Sequence, residues 1–285
     1  MSAKAKPARK HQDLDVFARV FRVFADTPWL HYGLWLPGER PTMPTVRQAQ
    51  ERYVEKLLAL LPPAPASILD IGGGTGAMSE RLAGLGYSVE MLTPSEVQVG
   101  LARETLGDRV KVHLSRLQDF TSERRFDVCL FSESFQYVPV DESLPKVAGL
   151  LAEGGRVVIS DCFRSAGYPG GRAVGGGHRF ADFEAAVERH GYMIATDEDV
   201  TAMAAPTIAL DRQIYREVLS PLIADGGVAL KERKPWAHWL FVRAWNWFVS
   251  ARERERIAER LKAEYRTPEK FIENNTYRFL TLKKR

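Results

Sequence analysis

A run of glycines between residues 72 and 76 follows directly on a short apolar stretch, and it constrains the fold of this chain more than any other feature. Residues 68–76 read ILDIGGGTG. Glycines at 72, 74 and 76 let the backbone turn tightly from a strand into a helix, and they leave no Cβ in the way of a ligand on the first amides of that helix. The pattern predicts a nucleotide-type binding turn, with an ordinary glycine-rich connection as the alternative.

The residues after position 65 alternate between strand patterns and helical patterns. This alternation predicts an α/β fold, namely a Rossmann-like, doubly wound and mostly parallel sheet with helices on both faces. The glycine turn then lies at the carboxyl ends of the strands, where such folds bind ligands. One helix is expected to begin with Asp141 as its N-cap and to end at Gly154-Gly155. We expect strands at 66–71, 87–92, 109–114, 126–132, 155–160, 192–196 and 275–283, and helices at 46–61, 76–84, 95–106, 141–152 and 180–190.

The predicted core is flanked by segments of different character. An apolar helical pattern over residues 14–24 precedes a loop over 26–44 that is rich in proline and glycine. In chain order we predict a disordered basic tail (1–12), an N-terminal helical cap (13–64), a Rossmann-like core (65–199), a helical lid insertion (200–270) and a final core strand (271–285).

Charge and cysteine content bear on the class of protein. The 285 residues carry a net charge of +4, and Arg and Lys alternate with Glu over 231–266. This alternation favours a solvated helix face over a nucleic-acid surface. Cys129 and Cys162 are the only cysteines, so we expect neither a disulfide framework nor a metal site. No apolar run approaches the roughly 18 residues that cross a bilayer, and no signal peptide is apparent, so we expect a cytoplasmic protein without stable membrane insertion.

The positions of the acidic residues indicate the ligand. Gly72-x-Gly74-x-x-Ala77 also fits the dinucleotide fingerprint, which requires an acid about 20 residues further on, but Thr93 stands there. Asp70 precedes the glycines, where a carboxylate suits a cationic amino group and would repel a pyrophosphate. Asp-x-Gly-x-Gly-x-Gly resembles motif I of the class I S-adenosylmethionine-dependent methyltransferases. The resemblance implies that S-adenosylmethionine is held by Asp70, Gly72, Gly74 and Gly76.

The second predicted strand ends in a pattern that resembles one branch of these enzymes. Thr93-x-Ser95-x-x-Gln98 is similar to the Thr-x-Ser-x-x-Gln pattern of the tocopherol, sterol and cyclopropane-forming methyltransferases. By that resemblance Thr93 and Gln98 bind the ribose hydroxyls, since both side chains can donate and accept. A capped helix start with a surface Gln98 is the alternative.

Three further segments complete the cofactor site by resemblance. Leu117 and Gln118 follow the third strand, from which the superfamily holds adenine, and Ser132 ends the fourth strand. His31-Tyr32-Gly33-Leu34-Trp35 resembles the branch segment that folds over the cofactor. Tyr32 would approach the methionine carboxylate there, and His31 and Trp35 would face the acceptor. Packing of Tyr32 and Trp35 is the alternative.

The end of the fourth strand faces the transferred methyl group in this superfamily. Gln136-Tyr137 stands where cyclopropane-forming relatives have Glu-His, which argues against cyclopropane chemistry. Methyl transfer needs mainly alignment, and a base is required only for a protonated acceptor. The candidates that we single out for catalysis are Glu133, Tyr137 and His178, each of which also has a structural interpretation.

The predicted insertion contains four of the six tryptophans, between residues 235 and 248. A helical aromatic stripe is core more often than site, and a homodimer face or a membrane-surface helix would also explain it. As a lid, it would place Trp236, His238, Trp239 and Phe241 against a lipophilic or aromatic small-molecule acceptor. A nucleic-acid or protein methyltransferase and a non-catalytic cofactor-binding protein are the competing functions. The Asn-Pro-Pro-Tyr type of motif that amino-methylating enzymes carry is absent at Ser132–Phe135.

Overall fold

The structure is a computed structural model, and it describes residues 26–170, 174–250, 254–255 and 264–285. The predicted basic tail and the helical pattern over 14–24 lie outside the described residues. Within the described ranges, no helix combines the length and the apolar character needed to cross a membrane.

Seven strands form one sheet, which confirms the predicted fold class. The strand order is β3-β2-β1-β4-β5-β7-β6. Neighbouring strands from β3 to β5 are parallel, whereas β7 is antiparallel to both β5 and β6. The strands are β1 (Ser67–Ile71), β2 (Ser88–Thr93), β3 (Lys111–Leu114), β4 (Phe126–Ser132), β5 (Leu151–Arg164), β6 (Tyr192–Asp199) and β7 (Asn275–Lys284).

Helices cover both faces of this sheet and form the segment before β7. A π-helical segment, Ile214–Leu219, connects two helices of that segment. The helices are α1 (Met43–Leu58), α2 (Ala77–Gly84), α3 (Glu96–Leu106), α4 (Val140–Ala148), α5 (Phe180–Arg189), α6 (Thr201–Ala204), α7 (Pro206–Gln213), α8 (Ser220–Arg233), α9 (Pro235–Phe248) and α10 (Pro268–Asn274).

The predicted helix 141–152 was wrong at both ends. The N-cap of α4 is Pro139 rather than Asp141, and the carbonyl of Pro139 accepts the backbone N–H of Ser143 at 2.9 Å. The Asp141 carboxylate instead pairs with Arg189 and His190 on α5. The helix ends early because Leu151 already pairs with Phe126 of β4, so the chain is in the sheet before Gly154.

Two apolar cores lie on the two faces of the sheet. One face carries Ile68, Leu130, Val158 and Phe279 beneath α1, and the other carries Phe131, Ile159 and Phe163 beneath α4 and α5. Both cysteines are buried in these cores, Cys162 in the first and Cys129 in the second. Side chains alternate between the faces along each strand. Side chains near the carboxyl ends of β1, β4 and β5 therefore point alternately into the two cores. We call this end of the sheet, between the two cores, the rim.

Candidate cofactor and acceptor site

The glycine turn connects β1 to α2 in a fixed conformation. The backbone N–H groups of Gly72 and Gly73 donate to the carbonyl of Leu92 on β2 at 2.8 and 3.1 Å. Gly72, Gly74 and Gly76 have φ values of +79°, +59° and +91°. Only glycine enters this left-handed region without steric cost, so the three predicted positions are those that the turn geometry requires.

The glycines of the turn differ in what a side chain would meet. A Cβ added at Gly72 would lie 2.5 Å from Cβ of Ser134, and one at Gly76 would lie 2.8 Å from Cδ1 of Leu106. A Cβ at Gly74 would meet no atom of the protein within 4 Å. Packing within the protein therefore explains Gly72 and Gly76, whereas at Gly74 the missing side chain leaves space beside the turn. This space fits a cofactor.

Asp70 is fully buried at the end of β1. Its Oδ2 accepts a hydrogen bond from Oγ of Ser79 at 2.7 Å, whereas its Oδ1 is buried without a partner among the described residues. Burial raises the pKa of the Asp70 carboxyl to about 6. A buried polar atom without a partner is costly. A cationic ligand group would satisfy it, which agrees with the role predicted for Asp70.

Thr93 and Gln98 meet in the structure. Oγ1 of Thr93 donates to Oε1 of Gln98 at 2.7 Å, and both residues are buried. Ser95 is the N-cap of α3 and accepts the backbone N–H of Gln98. The helix start is therefore capped, and the two predicted ribose ligands form one polar pair beside it. No described residue hydrogen-bonds Nε2 of Gln98, so this donor is available to a ligand.

Leu117 and Gln118 lie in a short 3-10 turn after β3. Leu117 is buried, and Nε2 of Gln118 donates to Glu142 on α4 at 3.1 Å. This contact ties the turn to α4. It also uses the side-chain amide of Gln118, one of the two predicted adenine contacts, as a donor to Glu142.

Residues 31–35 cross the rim between α1 and the sheet. His31 stacks on Tyr53 of α1, with ring centroids 3.9 Å apart, and its Nδ1 lies 2.8 Å from the carbonyl oxygen of Tyr32. Nδ1 therefore carries the proton, and Nε2 is a buried acceptor without a partner among the described residues. Burial lowers the pKa of His31 to about 4, so the ring is neutral at pH 7.

The side chain of Trp35 does not face the rim. It is 2% exposed and packs with Val46, Ala49 and Leu210, and its Nε1 donates to Thr207 of α7 at 3.0 Å. The packing alternative therefore explains Trp35, because a fully enclosed indole offers no surface to an acceptor.

Glu133 occupies the most unusual backbone position at this rim. It follows β4 with φ of +56°, a conformation that costs a non-glycine residue on the order of 1–3 kcal/mol and is enriched at functional sites. Its Oε1 accepts the backbone N–H of Tyr32 at 2.7 Å and the hydroxyl of Tyr277. Burial raises the pKa of the Glu133 carboxyl to about 8.

Aromatic side chains surround this carboxyl on one side. The ring of Tyr32 lies 5.7 Å from that of Phe271 and 5.3 Å from that of Tyr277. The hydroxyl of Tyr53 lies 3.0 Å from Oγ of Ser132. We call Tyr32, Tyr53, Phe271 and Tyr277 the aromatic wall. Tyr53, Phe271 and Tyr277 were not predicted as site residues. One sequence signal pointed to Tyr277. It stands two residues from Phe279, and residues two apart lie on the same side of a strand.

A second buried carboxyl was also missed. Asp161 of β5 is fully buried and accepts the backbone N–H and the Nε2 of Gln136, both at 3.0 Å. The backbone N–H of Cys162 donates to it at 2.7 Å. Burial raises the pKa of Asp161 to about 7. This residue holds the turn after β4 in place, and Gln136 is thus the partner of an acid on the next strand.

The other predicted catalytic residues lie beside this turn. Tyr137 is 49% exposed, and burial of its ring raises the pKa of its hydroxyl to about 12. Nε2 of His178 lies 2.9 Å from the carbonyl oxygen of Val138 and 3.3 Å from that of Phe135. Because both carbonyl oxygens can only accept a hydrogen bond, Nε2 carries the proton. His178 therefore donates to two carbonyl groups of the turn.

The tryptophans of α9 are neither core nor a closed cover. Trp236 and Trp239 are 67% and 57% exposed, His238 is half-buried, and the side chain of Phe241 lies outside the described side chains. The core interpretation is therefore wrong for Trp236 and Trp239. The structure does not bring them to Glu133, because α9 packs against α8.

The sequence profile of the methyltransferase domain matches residues 45–265, which is more than half of the chain. The chain belongs to the methyltransferase-domain family. The match covers the glycine turn, the Thr93–Gln98 pair and Glu133. It confirms the recognition of a class I S-adenosylmethionine-dependent methyltransferase, and with it the predicted cofactor.

Curated relatives of this methyltransferase are similar over part of their length. An O-methyltransferase of Pyrenophora dematioidea is 29% identical over 159 residues, which are 53% of this chain and 59% of that protein. A ubiquinone biosynthesis O-methyltransferase of Xanthomonas axonopodis pv. citri (strain 306) is 29% identical over 168 residues, 56% of this chain and 65% of that protein. The chain therefore spans less than two thirds of the length of these relatives.

Solved structures share the fold over nearly the whole chain. The (4+2)-cyclase SpnF aligns with a TM-score of 0.69 at 20% identity, covering 97% of this chain and 96% of that one. A geranyl diphosphate C-methyltransferase from Streptomyces coelicolor A3(2), solved with Mg²⁺, geranyl diphosphate and S-adenosyl-L-homocysteine, aligns with a TM-score of 0.63 at 16% identity, covering 99% and 100%. At these identities the likeness of this methyltransferase to both proteins concerns the fold.

Proposed function

We propose that this protein transfers a methyl group from S-adenosylmethionine to a small, lipophilic or aromatic acceptor, and that Glu133 receives a proton from that acceptor. The observation that carries the proposal is the position of Glu133. It lies between the glycine turn and the aromatic wall. Oγ of its neighbour Ser134 donates to the carbonyl of Ile71 at the start of the turn, so the residue next to Glu133 is in direct contact with the turn.

The residues that would hold the cofactor follow the order of its parts. Asp70 and the segment around Tyr32 would hold the methionine end, the turn at Gly74 would lie against its centre, and Thr93 with Gln98 would hold the ribose. Leu117 and Gln118 would contact adenine, with Ser132 at the end of β4. When bound, S-adenosylmethionine supplies a methyl group that its sulfonium makes electrophilic.

The aromatic wall supports a lipophilic or aromatic acceptor. Tyr32 is its partly exposed member and offers apolar ring surface with few rotatable bonds, while the fully buried rings of the other three members hold it in place. Apolar surface around a few polar groups binds apolar or aromatic ligands. His31 contributes an unprotonated Nε2 that can accept a hydrogen bond from an acceptor hydroxyl. Tyr137, half exposed on the turn after β4, would border the entrance.

Glu133 is suited to receive a proton because one of its oxygens is occupied and the other is not. Tyr32 and Tyr277 both donate to Oε1, and no described residue hydrogen-bonds Oε2. A pKa of about 8 places its ionisation in the range where a general base works near neutral pH. On transfer, the acceptor oxygen would take the methyl group, the bond from that methyl carbon to the sulfonium sulfur would break to leave S-adenosylhomocysteine, and the hydroxyl proton would pass to Oε2.

The proposal is tested first on cofactor binding. Calorimetry with S-adenosylhomocysteine should show saturable binding, and the same titration with a nicotinamide cofactor should show none. Transfer of labelled methyl from S-adenosylmethionine is then measured over a panel of phenols and prenylated phenols. Binding of S-adenosylhomocysteine without transfer to any panel member would favour a non-catalytic role. Transfer to RNA or protein in its place would favour a macromolecular acceptor.

The role of Glu133 is tested by Glu133→Gln, which keeps the shape and removes the base. General bases contribute roughly 100-fold to 10,000-fold, so turnover should fall at least 100-fold while S-adenosylhomocysteine affinity changes by less than a few-fold. Glu90→Gln is the matched control, because Glu90 is also a buried acid but pairs with His113 and Arg124 and is not among the proposed site residues. Equal losses in both variants would contradict a special role for Glu133.

A further inference from the structure

Helix α9 exposes large aromatic side chains along one side. Trp236, Trp239 and Trp247 are 67%, 57% and 78% exposed, and Leu240 is 50% exposed. With 3.6 residues per turn, positions 236, 240, 243 and 247 stack on one side of a helix, and position 239 lies beside them. We call Trp236, Trp239, Leu240 and Trp247 the tryptophan face. An apolar face of this kind marks an interaction surface.

The charges around the tryptophan face are cationic. Lys231, Arg233 and Lys234 are exposed in the turn that leads into Trp236, where Glu232 is the one acid among them. The guanidinium of Arg243 lies 5.2 Å from the ring of Trp239. Residues 233–250 contain no Asp or Glu. Ten Lys and Arg stand against five Glu between residues 231 and 266, and the net charge of the chain is +4. The residues outside 231–266 therefore have a summed charge close to zero, and the excess positive charge of the chain lies within this segment.

These charges argue against a second copy of the chain as the partner. In a two-fold symmetric interface the same surface meets itself. Arg243 lies near the middle of the face and would then approach its own copy, and like charges at an interface are unfavourable. The partner should instead be anionic at its surface and apolar beneath it.

An anionic lipid bilayer has these properties. Tryptophan and leucine enter the boundary between headgroups and acyl chains, and Lys and Arg remain among the headgroups. A nucleic acid would require cations interleaved with the aromatic rings along the strand, whereas here only Arg243 lies among them and the other cations are grouped at one end. We propose that the tryptophan face of α9 docks on the surface of anionic membranes. This surface binding is independent of the identity of the methyl acceptor.

The proposal is tested by sedimentation of the full chain with vesicles. Vesicles of phosphatidylcholine with phosphatidylglycerol should bind the protein at least tenfold more strongly than vesicles of phosphatidylcholine alone, and added salt should weaken the binding. The triple variant Trp236→Ser, Trp239→Ser, Trp247→Ser should lose at least tenfold in partitioning. The double variant Lys231→Glu, Lys234→Glu should lose the preference for the anionic vesicles.

Controls separate docking from misfolding and from other partners. Leu85→Ser removes an exposed apolar side chain elsewhere on the surface and should bind vesicles as the wild type does. Each variant should keep the wild-type circular dichroism and melting temperature, because the altered side chains are exposed. Wild-type protein that ignores anionic vesicles, or a triple variant that still binds them, would overturn the proposal. The proposal would also be overturned if the wild type did not bind vesicles but formed a dimer in light scattering, or bound polyuridylate, and the triple variant lost that dimer or that binding.

Discussion

The substitution Gly74→Ala should weaken cofactor binding at a small cost in stability. Gly74 has φ of +59°, and an added Cβ meets no protein atom within 4 Å. The left-handed conformation costs an alanine roughly 1–2 kcal/mol, and the stiffer unfolded chain offsets about 0.4–1 kcal/mol of that. The net loss of about 1 kcal/mol corresponds to a fall in melting temperature of about 2–4 °C for a chain of this size.

The loss in affinity should be larger. If the space beside Gly74 belongs to the cofactor, the new methyl group overpacks the complex, and overpacking costs typically about 1–3 kcal/mol. That energy corresponds to a roughly 5-fold to 150-fold rise in the dissociation constant of S-adenosylhomocysteine. Gly72→Ala behaves differently, because its Cβ would lie 2.5 Å from Cβ of Ser134 and the overpacking falls on the folded protein itself. It should therefore melt several degrees below Gly74→Ala.

The assay combines thermal melting with calorimetry on three variants. Gly154→Ala is the matched control, since Gly154 also has a positive φ, of +72°, and an added Cβ there meets no atom within 4 Å. Gly154 lies near the start of β5, at the amino ends of the parallel strands, which is the opposite end of the sheet from the turn. Gly154→Ala should lose similar stability and keep full affinity. A Gly74→Ala variant that binds S-adenosylhomocysteine like the wild type would refute the assignment of the turn.

Three further outcomes are expected. Wild-type turnover on a hydroxyl acceptor should rise with pH through about 8, where Glu133 ionises, and Glu133→Gln should flatten the profile; an unchanged profile would exclude Glu133 as the base. Hydrogen exchange over residues 26–44 should slow when S-adenosylhomocysteine binds, because Tyr32 donates to Glu133 from this segment; protection confined to 70–76 would make the segment purely structural. The pKa of His31 is lowered to about 4, so the unfolded state binds its proton more readily and stability is lost as pH falls from about 6.5 towards 4. By this reasoning His31→Phe should lose about 2–3 kcal/mol less than the wild type between pH 7 and pH 4.5 in denaturant titrations, and an equal loss would show that His31 is not the group responsible.

Local patterns were enough to predict the core of the fold and the cofactor turn. The period of the apolar residues separates strands from helices, and Gly72, Gly74 and Gly76 are needed wherever the chain makes this turn. Thr93 and Gln98 are five residues apart, so the helix start brings them together without help from the rest of the molecule. Short-range geometry determines all of these features.

The acceptor side depends on residues that are distant in the chain. Glu133 receives hydrogen bonds from Tyr32 and Tyr277, which lie 101 and 144 residues away. Only the pairing of β7 with β5 and the path of residues 31–35 over the rim create that contact. Asp161 meets Gln136 for the same reason, because β4 and β5 are neighbours in the sheet.

Burial was likewise decided by tertiary packing. Trp35 and Trp236 are the same residue type, yet Trp35 is 2% exposed and Trp236 is 67% exposed. Trp35 finds Thr207 and an apolar cluster beneath it, whereas α9 turns its tryptophan face away from the sheet. A local pattern determines which side of a helix is apolar. Whether that side meets the core, another molecule or water depends on where the rest of the chain places the helix.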